Sequence, residues 1–427
     1  MIKLYRRLIS LPAWLLVVLA ALLVRLALAP LPGYDVRDYR LWTEVVARGE
    51  ITAIYHASIY IPYNYPPVFL YMLEALGHFY SLLSPSFDTS SPLFGVVLKS
   101  TAILADVAAS LAIYLFLRRR VTPNSALLGA LAFALNPAVI WNTAYWGGVD
   151  GINTLLAFLA FILLVRGLPE VSWLLLALSL LIKPLSLPIV IIATFLTLHR
   201  FGFKRSALCA IVVAGVTVVS IVPFLIAGTA GEMWTAIQAN VGNYNNVSAN
   251  AHNFWWLVSG GKNWTRDTDV FLGVASYRVI GFALFAILTI LCLCSLRRKS
   301  QEAHVFFVCS MLSFAFFMLP TEVHENWMFG VFPFLVVASA LDPRFRPILI
   351  ALSITFWLNM ALHDLAFGYE LPKGSLGSFL TAARMANAVA NNFILVYATI
   401  LLLDTHRLTA LAKRLSLFRK GGPDAPG

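Results

Sequence analysis

The chain has 427 residues, of which 60% are hydrophobic and only 12% charged. A soluble globular chain carries roughly 25% charged residues, so this composition excludes one, and long apolar runs recurring along the whole length predict an all-α polytopic membrane protein. The absence of alternation in those runs excludes a membrane barrel. The net charge of +11 does not make a nucleic-acid partner, because the basic residues sit in short clusters between apolar runs.

In chain order, Lys3, Arg6 and Arg7 precede an apolar run at 11–29 that imitates a secretory leader, with Ala27-Leu28-Ala29 as its mock cleavage site. Pro30 follows at once and disfavours cleavage, so the segment is expected to stay as a first helix. Further spans are predicted at 95–117, 124–141, 150–166, 172–184, 186–199, 206–227, 271–295, 302–319, 326–341, 347–363 and 386–403. The run 66–84 is ambiguous, since Glu74, Gly77 and His78 interrupt it. Lysine and arginine placement decides it. If 66–84 does not cross, 20 of the 31 basic residues gather on one side; if it crosses, that bias is lost. The expectation is therefore about twelve transmembrane helices with both termini cytoplasmic and 66–84 lying along the outer face. Cys209, Cys292, Cys294 and Cys309 all fall inside apolar runs and are expected to be small buried hydrophobes.

With that topology the polar segments collect outside the cytoplasm: 30–65, 142–150, Lys183, 228–270, 320–326 and 364–385. Asp35 and Asp38 follow the first span, with Trp42 seven residues after Asp35 and Tyr63-Asn64-Tyr65-Pro66-Pro67 further on. A half-buried carboxylate at the interface can deprotonate a hydroxyl nucleophile. Trp146-Gly147-Gly148-Val149-Asp150 joins two spans, and Asp150 is either a helix cap or a substrate ligand. Lys183 lies between two short apolar runs and needs an anionic partner such as a phosphate, unless it snorkels to the interface. Asn250, His252, Asn253, Trp255 and Trp256 form an amide- and indole-rich cluster suited to sugars, although an aromatic belt also explains the tryptophans. His324, Glu325 and Asn326 open a later span, where a helix N-terminus can help hold an anion; a second His at zinc-ligand spacing is lacking.

Taken together, Asp35 with Trp42, Tyr65-Pro66-Pro67, Trp146 to Asp150, Lys183-Pro184, Asn250 to Trp256 and His324-Glu325-Asn326 resemble the GT-C superfamily of integral-membrane glycosyltransferases. In particular the chain looks like prokaryotic mannosyltransferase-like proteins related to the second mannosyltransferase of GPI-anchor synthesis. The dolichyl-phosphate-glucose glucosyltransferases share the Asp-to-Trp spacing and the Tyr-Pro-Pro turn. The similarity spans about residues 5 to 403.

That resemblance implies a GT-C-like helical bundle with a long first extracytoplasmic loop. It implies a single domain over 1–403, with 30–94 as the first outer loop, 228–270 as another and 404–427 as a basic cytoplasmic tail. It also implies an inverting enzyme of the plasma membrane in a prokaryote, or of the endoplasmic reticulum in a eukaryote. Its partners would be a polyprenyl- or dolichyl-phosphate-linked hexose donor, a glycan, lipid or protein acceptor on the extracytoplasmic face, and membrane lipid. By the spacing to Trp42 the general base falls on Asp35, with Asp38 as the alternative acid. Tyr65, Asp150, Asn250, Asn253, Trp255 and Glu325 become substrate-binding candidates. No cofactor is required, and the pattern leaves room for a divalent metal. Two departures stand out: Gly148 replaces the usual Gln, and Asn326 replaces a Lys or Arg. If that missing cation serves the donor phosphate, its work falls to Lys183, His252, His324 or Arg278. A transporter or flippase for a lipid-linked or soluble sugar is the rival from another class. It should show internal repeats and functional polar groups on both faces, which the sequence lacks.

Overall fold

The computed structural model describes residues 12–49, 51–56, 60–239, 242, 245–262, 264–299, 301–367 and 375–403. Lys3, Arg6, Arg7 and the basic tail 404–427 lie outside the described residues. In chain order the helices are α1 (Ala13–Leu28), α2 (Val36–Arg48), α3 (Pro67–Leu83), α4 (Pro92–Leu117), α5 (Pro123–Ala134) and α6 (Pro137–Ile140), which runs into a π-helical turn, Trp141–Trp146. After it come α7 (Asp150–Val165), α8 (Pro169–Ile182), α9 (Leu187–Ile226), α10 (Ala230–Gln238) and α11 (Phe254–Val258). A hairpin of β1 (Val270–Phe271) and antiparallel β2 (Ala275–Ser276) leads to α12 (Tyr277–Arg298), α13 (Glu302–Met318), α14 (Phe332–Leu341), α15 (Arg346–Phe367) and α16 (Ser375–Leu403).

The starts of these helices are written in the sequence. Proline occupies the first helical position of α3, α4, α5, α6 and α8, where its fixed φ suits the helix and its missing N–H costs nothing. The Ser91, Thr122, Asn136 and Ser276 side chains accept from backbone N–H groups of the following turn, satisfying donors that no helix can satisfy internally. α9 is interrupted at Gly202, whose φ of 75° and ψ of 179° are not helical. The two predicted runs on either side of 200 are thus two helices meeting at a break.

Each predicted span contains helix, but 124–141 is broken at 135–136 and the helix expected from 271 begins only at Tyr277, after the hairpin. Among the described residues, five helices are long and apolar enough to cross a bilayer, or six if α5 and the segment Pro137–Trp146, bent by 40°, count as one span. α1, α3, α7, α8, α13 and the segment Trp327–Leu341 are apolar but shorter. The chain is an all-helical, multi-pass integral membrane protein. Two further details differ from expectation. Cys294 is exposed, because it lies on an outward face of α12. The last helix starts at Ser375, eleven residues before 386, so most of the expected outer loop 364–385 is helical.

A large apolar core is built by α4, α5, α7, α9, α13, α14 and α15 around Phe158, Phe161, Phe306 and Phe334. Arg25 of α1 reaches into the bundle, donating to Asp106 of α4 at 2.8 Å and to the Ala134 carbonyl at 2.7 Å. Asp106 also accepts from Thr143 in the π-helical turn at 2.6 Å. An ion pair with no exposure is costly to break, and this one ties α1, α4 and the turn 141–146 into one unit. A second cluster centred on α2, α3 and Tyr63 packs beside it and carries the polar cleft.

Candidate active site

The cleft is seated on the turn after Trp146. Gly147 takes a φ of 85°, and a Cβ there would strike Val36. A Cβ on Gly33 would strike the carbonyls of Tyr145 and Trp146. Glycine at both positions lets the chain 33–36 lie directly on that turn, and the Asp35 N–H donates to the Trp146 carbonyl at 3.2 Å. α2 begins at once, and its buried face (Val36, Tyr39, Trp42, Thr43, Val46) has helical spacing. Asp35, Tyr39 and Trp42 therefore stand on one side. The Trp42 indole N–H donates to the Ile61 carbonyl at 2.8 Å and the Tyr63 hydroxyl to the Pro66 carbonyl at 3.1 Å, so the Tyr-Asn-Tyr-Pro-Pro turn is held against α2.

Asp35 is packed among dense neighbours yet is not wholly buried. Burial pushes its carboxyl up to about 7; Lys183 pulls it down, while the charges of Asp150, Glu325 and Asp38 push it further up. The Tyr39 hydroxyl lies 3.5 Å from Asp35 Oδ2. Asp38 differs: it is paired with exposed Arg37 at 3.1 Å.

Lys183 ends α8 in extended backbone just before Pro184. Its ammonium meets Asp150 Oδ1 at 2.7 Å, with both side chains almost wholly buried, and stands 5.9 Å above the Tyr65 ring. Asp150 Oδ2 also accepts from Asn142 at 3.2 Å. The N-cap position of α7 is Val149, not Asp150, and Asp150 is the counterion of Lys183. A Cβ at Gly148 would sit 2.7 Å from Asn142 Oδ1 and 3.0 Å from Asp150 Oδ2, so the Asn142 amide occupies the space beside Gly148.

The segments 248–253 and 321–326 are joined, Ala249 and Asn250 each bridging to His324. Glu325, buried, acts electrostatically on Asp35, Tyr34 and His324. Burial lowers the affinity of His252 and His324 for a proton; His324 lies within electrostatic reach of Glu325, Lys183 and Asp150, while the fully buried His252 ring meets the Asn387 amide at 2.9 Å. The structure therefore brings Asp35, Tyr65, Asp150, Lys183, His324 and Glu325 together.

Other sequence candidates serve differently. Asn253 caps α11 by accepting from Trp256 N–H at 3.0 Å and donates to the Phe317 carbonyl at 3.3 Å, which uses both ends of its amide. Trp255 has no exposure, and its indole N–H donates to the Leu319 carbonyl. Both are fully buried and brace the loop. Arg278 is clamped by Asp267 at 2.7 Å and Glu322 at 2.5 Å, and two carboxylates leave it little net charge to offer an anion.

Sequence reasoning missed Arg384. Its guanidinium donates to Asn250 Oδ1 at 2.9 Å and to His252 Nε2 at 3.4 Å, and stacks 4.4 Å above the Trp256 ring. It also missed Asp364, which accepts from the indoles of Trp146 at 2.6 Å and Trp141 at 3.0 Å. Among the described residues, no three His, Cys, Asp or Glu side chains are grouped to hold a metal ion. The two best-formed recesses, of about 310 and 570 Å³, are lined at Lys299, His304 and Arg344 and at Asn246, Trp264 and Arg266, and neither includes Asp35.

A helical membrane bundle thus holds a carboxylate near a buried lysine among aromatic side chains. Comparison with known proteins identifies it as a membrane glycosyltransferase. The model of glycosyltransferase family 87 matches residues 63–320, more than half of the chain, and the chain belongs to that family. A crystal structure of ArnT from Cupriavidus metallidurans bound to undecaprenyl phosphate has a similar fold, with a TM-score of 0.50 at 17% identity over 92% of this chain and 72% of that one. Among curated proteins, none matches the sequence.

Proposed function

We propose that this protein transfers a hexose, mannose or glucose, from a polyprenyl- or dolichyl-phosphate-linked donor to an acceptor hydroxyl on the extracytoplasmic face. The bundle has about twelve transmembrane helices, α3 lies along the outer membrane face, and both termini are cytoplasmic. Asp35 takes the acceptor proton as the acceptor oxygen bonds to the anomeric carbon. The bond from that carbon to the phosphate oxygen breaks on the opposite side, which inverts the configuration and releases the lipid phosphate as an anion. An ammonium has three N–H donors and Asp150 takes one, so Lys183 retains donors for the phosphate. His324 serves the same anion as a hydrogen-bond donor, whereas both ring nitrogens of His252 already meet donors, Arg384 and Asn387.

The observation that carries this reading is the raised carboxyl of Asp35, about 7, on a residue that is not wholly buried. A base near working pH is half ready and still strong enough to draw a proton. The test is Asp35→Asn in purified protein supplied with polyprenyl-phosphate-mannose or -glucose. A general base contributes about 10²–10⁴-fold, so turnover should fall by that much while donor affinity persists. Asp38→Asn, which disturbs only the pair with Arg37, should stay close to the parent. If the two variants exchange behaviours, the base is Asp38; if neither slows turnover, the base mechanism is wrong.

A further inference from the structure

Tyr34 precedes Asp35, and nothing in the mechanism above uses it. Its ring is 46% exposed, yet it is rigidly mounted. One face stacks on Trp146, with ring centres 5.3 Å apart and planes 23° apart, and the edge of His363 closes a second side at 4.8 Å and 85°. Trp146 is itself fully buried and fixed by its 2.6 Å bond to Asp364. The seating of Gly33 on the Tyr145 and Trp146 carbonyls holds Tyr34 and Asp35 on the same turn. The ring therefore stands at a fixed place next to the base in the chain, with nearly half of the residue's surface uncovered.

Aliphatic anchors would serve a lipid acceptor, and amides or charges a peptide. A flat, immobile ring with a phenol at its rim matches the apolar C–H face of a pyranose, whose hydroxyls point sideways. Little conformational entropy is lost when a sugar settles on a ring that is already fixed. The phenol stays protonated, because burial, then the charges of Glu325 and Asp35, push it up to about 12. It can donate a hydrogen bond but cannot compete with Asp35 as the base. From this geometry we infer that Tyr34 is the stacking platform of the acceptor subsite and that the acceptor is a glycoside, presenting a pyranose hydroxyl to Asp35. The inference rests on the transferase reading and specifies its acceptor.

The experiment compares the parent protein with Tyr34→Ala and Tyr34→Phe, using polyprenyl-phosphate-mannose or -glucose as donor. Octyl mannoside and octyl glucoside serve as ring-bearing acceptors, and octanol as the same tail without a ring. Loss of one aromatic contact is worth roughly two- to tenfold in binding. Tyr34→Ala should raise the acceptor KM by about that factor, with donor KM and release of sugar to water unchanged. Tyr34→Phe should behave like the parent. Because Trp146 keeps its own bond to Asp364, the seat survives in the alanine variant. Equal use of octanol and octyl glycosides, an unchanged acceptor KM in Tyr34→Ala, or equal damage from Tyr34→Phe would overturn the platform. Saturation-transfer NMR with methyl mannoside and methyl glucoside reads the contact without turnover. A signal in the parent that Tyr34→Ala loses supports the platform, and no signal in the parent overturns it. Absence of all turnover in the parent overturns the donor assignment instead, and the NMR arm still decides the role of Tyr34.

Discussion

Replacing Lys183 by Met tests whether its pairing with Asp150 is structural, functional or both. The pair is 2.7 Å long, with side-chain exposures of 9% and 0%, so removing the lysine leaves a carboxylate in the interior with one remaining hydrogen bond, from Asn142. Breaking a buried pair from one side costs about 3–5 kcal/mol. In a chain of this size that is a fall in thermal midpoint of about 3–6 °C, measurable on detergent-solubilised protein. Lys183→Met combined with Asp150→Asn removes the orphaned charge, since an amide can stay beside Asn142 without it, and most of the lost midpoint should return. Transfer should not return. The donor phosphate needs the ammonium, so both variants should bind polyprenyl-phosphate-mannose or -glucose more weakly while acceptor KM moves little. A double variant that regains transfer would make Lys183 a counterion and nothing more. A single variant that melts like the parent would refute the burial argument itself.

Two further outcomes follow from the same features. Because the Asp35 carboxyl lies near 7 and only its ionised form accepts a proton, transfer should rise with pH between about 5.5 and 8.5, half-maximal near 7. Lys183→Met, by removing the attraction that lowers it, should move that midpoint upward, whereas a flat profile would mean an ordinary carboxylate or a different base. For the topology, Ser84→Cys at the end of α3 should react with an impermeant thiol reagent from outside intact cells, and Thr122→Cys at the start of α5 should not; labelling of Ser84→Cys only from the cytoplasmic side would show that α3 crosses.

The helices were largely legible because their signals are local. Apolar runs set the bodies, and prolines and capping side chains set the starts, as at Ser91-Pro92 and Thr122-Pro123. Asp35 was preferred to Asp38 on its spacing to Trp42 alone, which is likewise a local signal. Partners far apart in sequence were not legible. Asp150 and Lys183 could each be singled out, but nothing local says that they neutralise one another across 33 residues. Asn253 and Trp255 look sugar-binding by type, and only the carbonyls of Phe317 and Leu319, 64 residues away, reveal that their polar atoms are spent. Arg384 was hidden by a misplaced helix start. The segment 364–385 was read as an outer polar stretch, whereas the helix that carries Arg384 begins at Ser375.

The same arrangement explains how one carboxylate can be both protected and available. Water alone around Asp35 would leave it ionised and weak. Full burial would keep it protonated and unreachable. Here dense packing and the charges of Asp150 and Glu325 raise its proton affinity, while Lys183 limits the rise. A donor phosphate lying against Lys183 would cancel part of that restraint, since its negative charge opposes the lysine's pull on Asp35. Donor binding would then strengthen the base just when an acceptor hydroxyl needs one, and an empty cleft would hold a weaker one. The Lys183–Asp150 pair matters in this account less for its own stabilisation than for fixing the ammonium where it can feel the donor on one side and the base on the other.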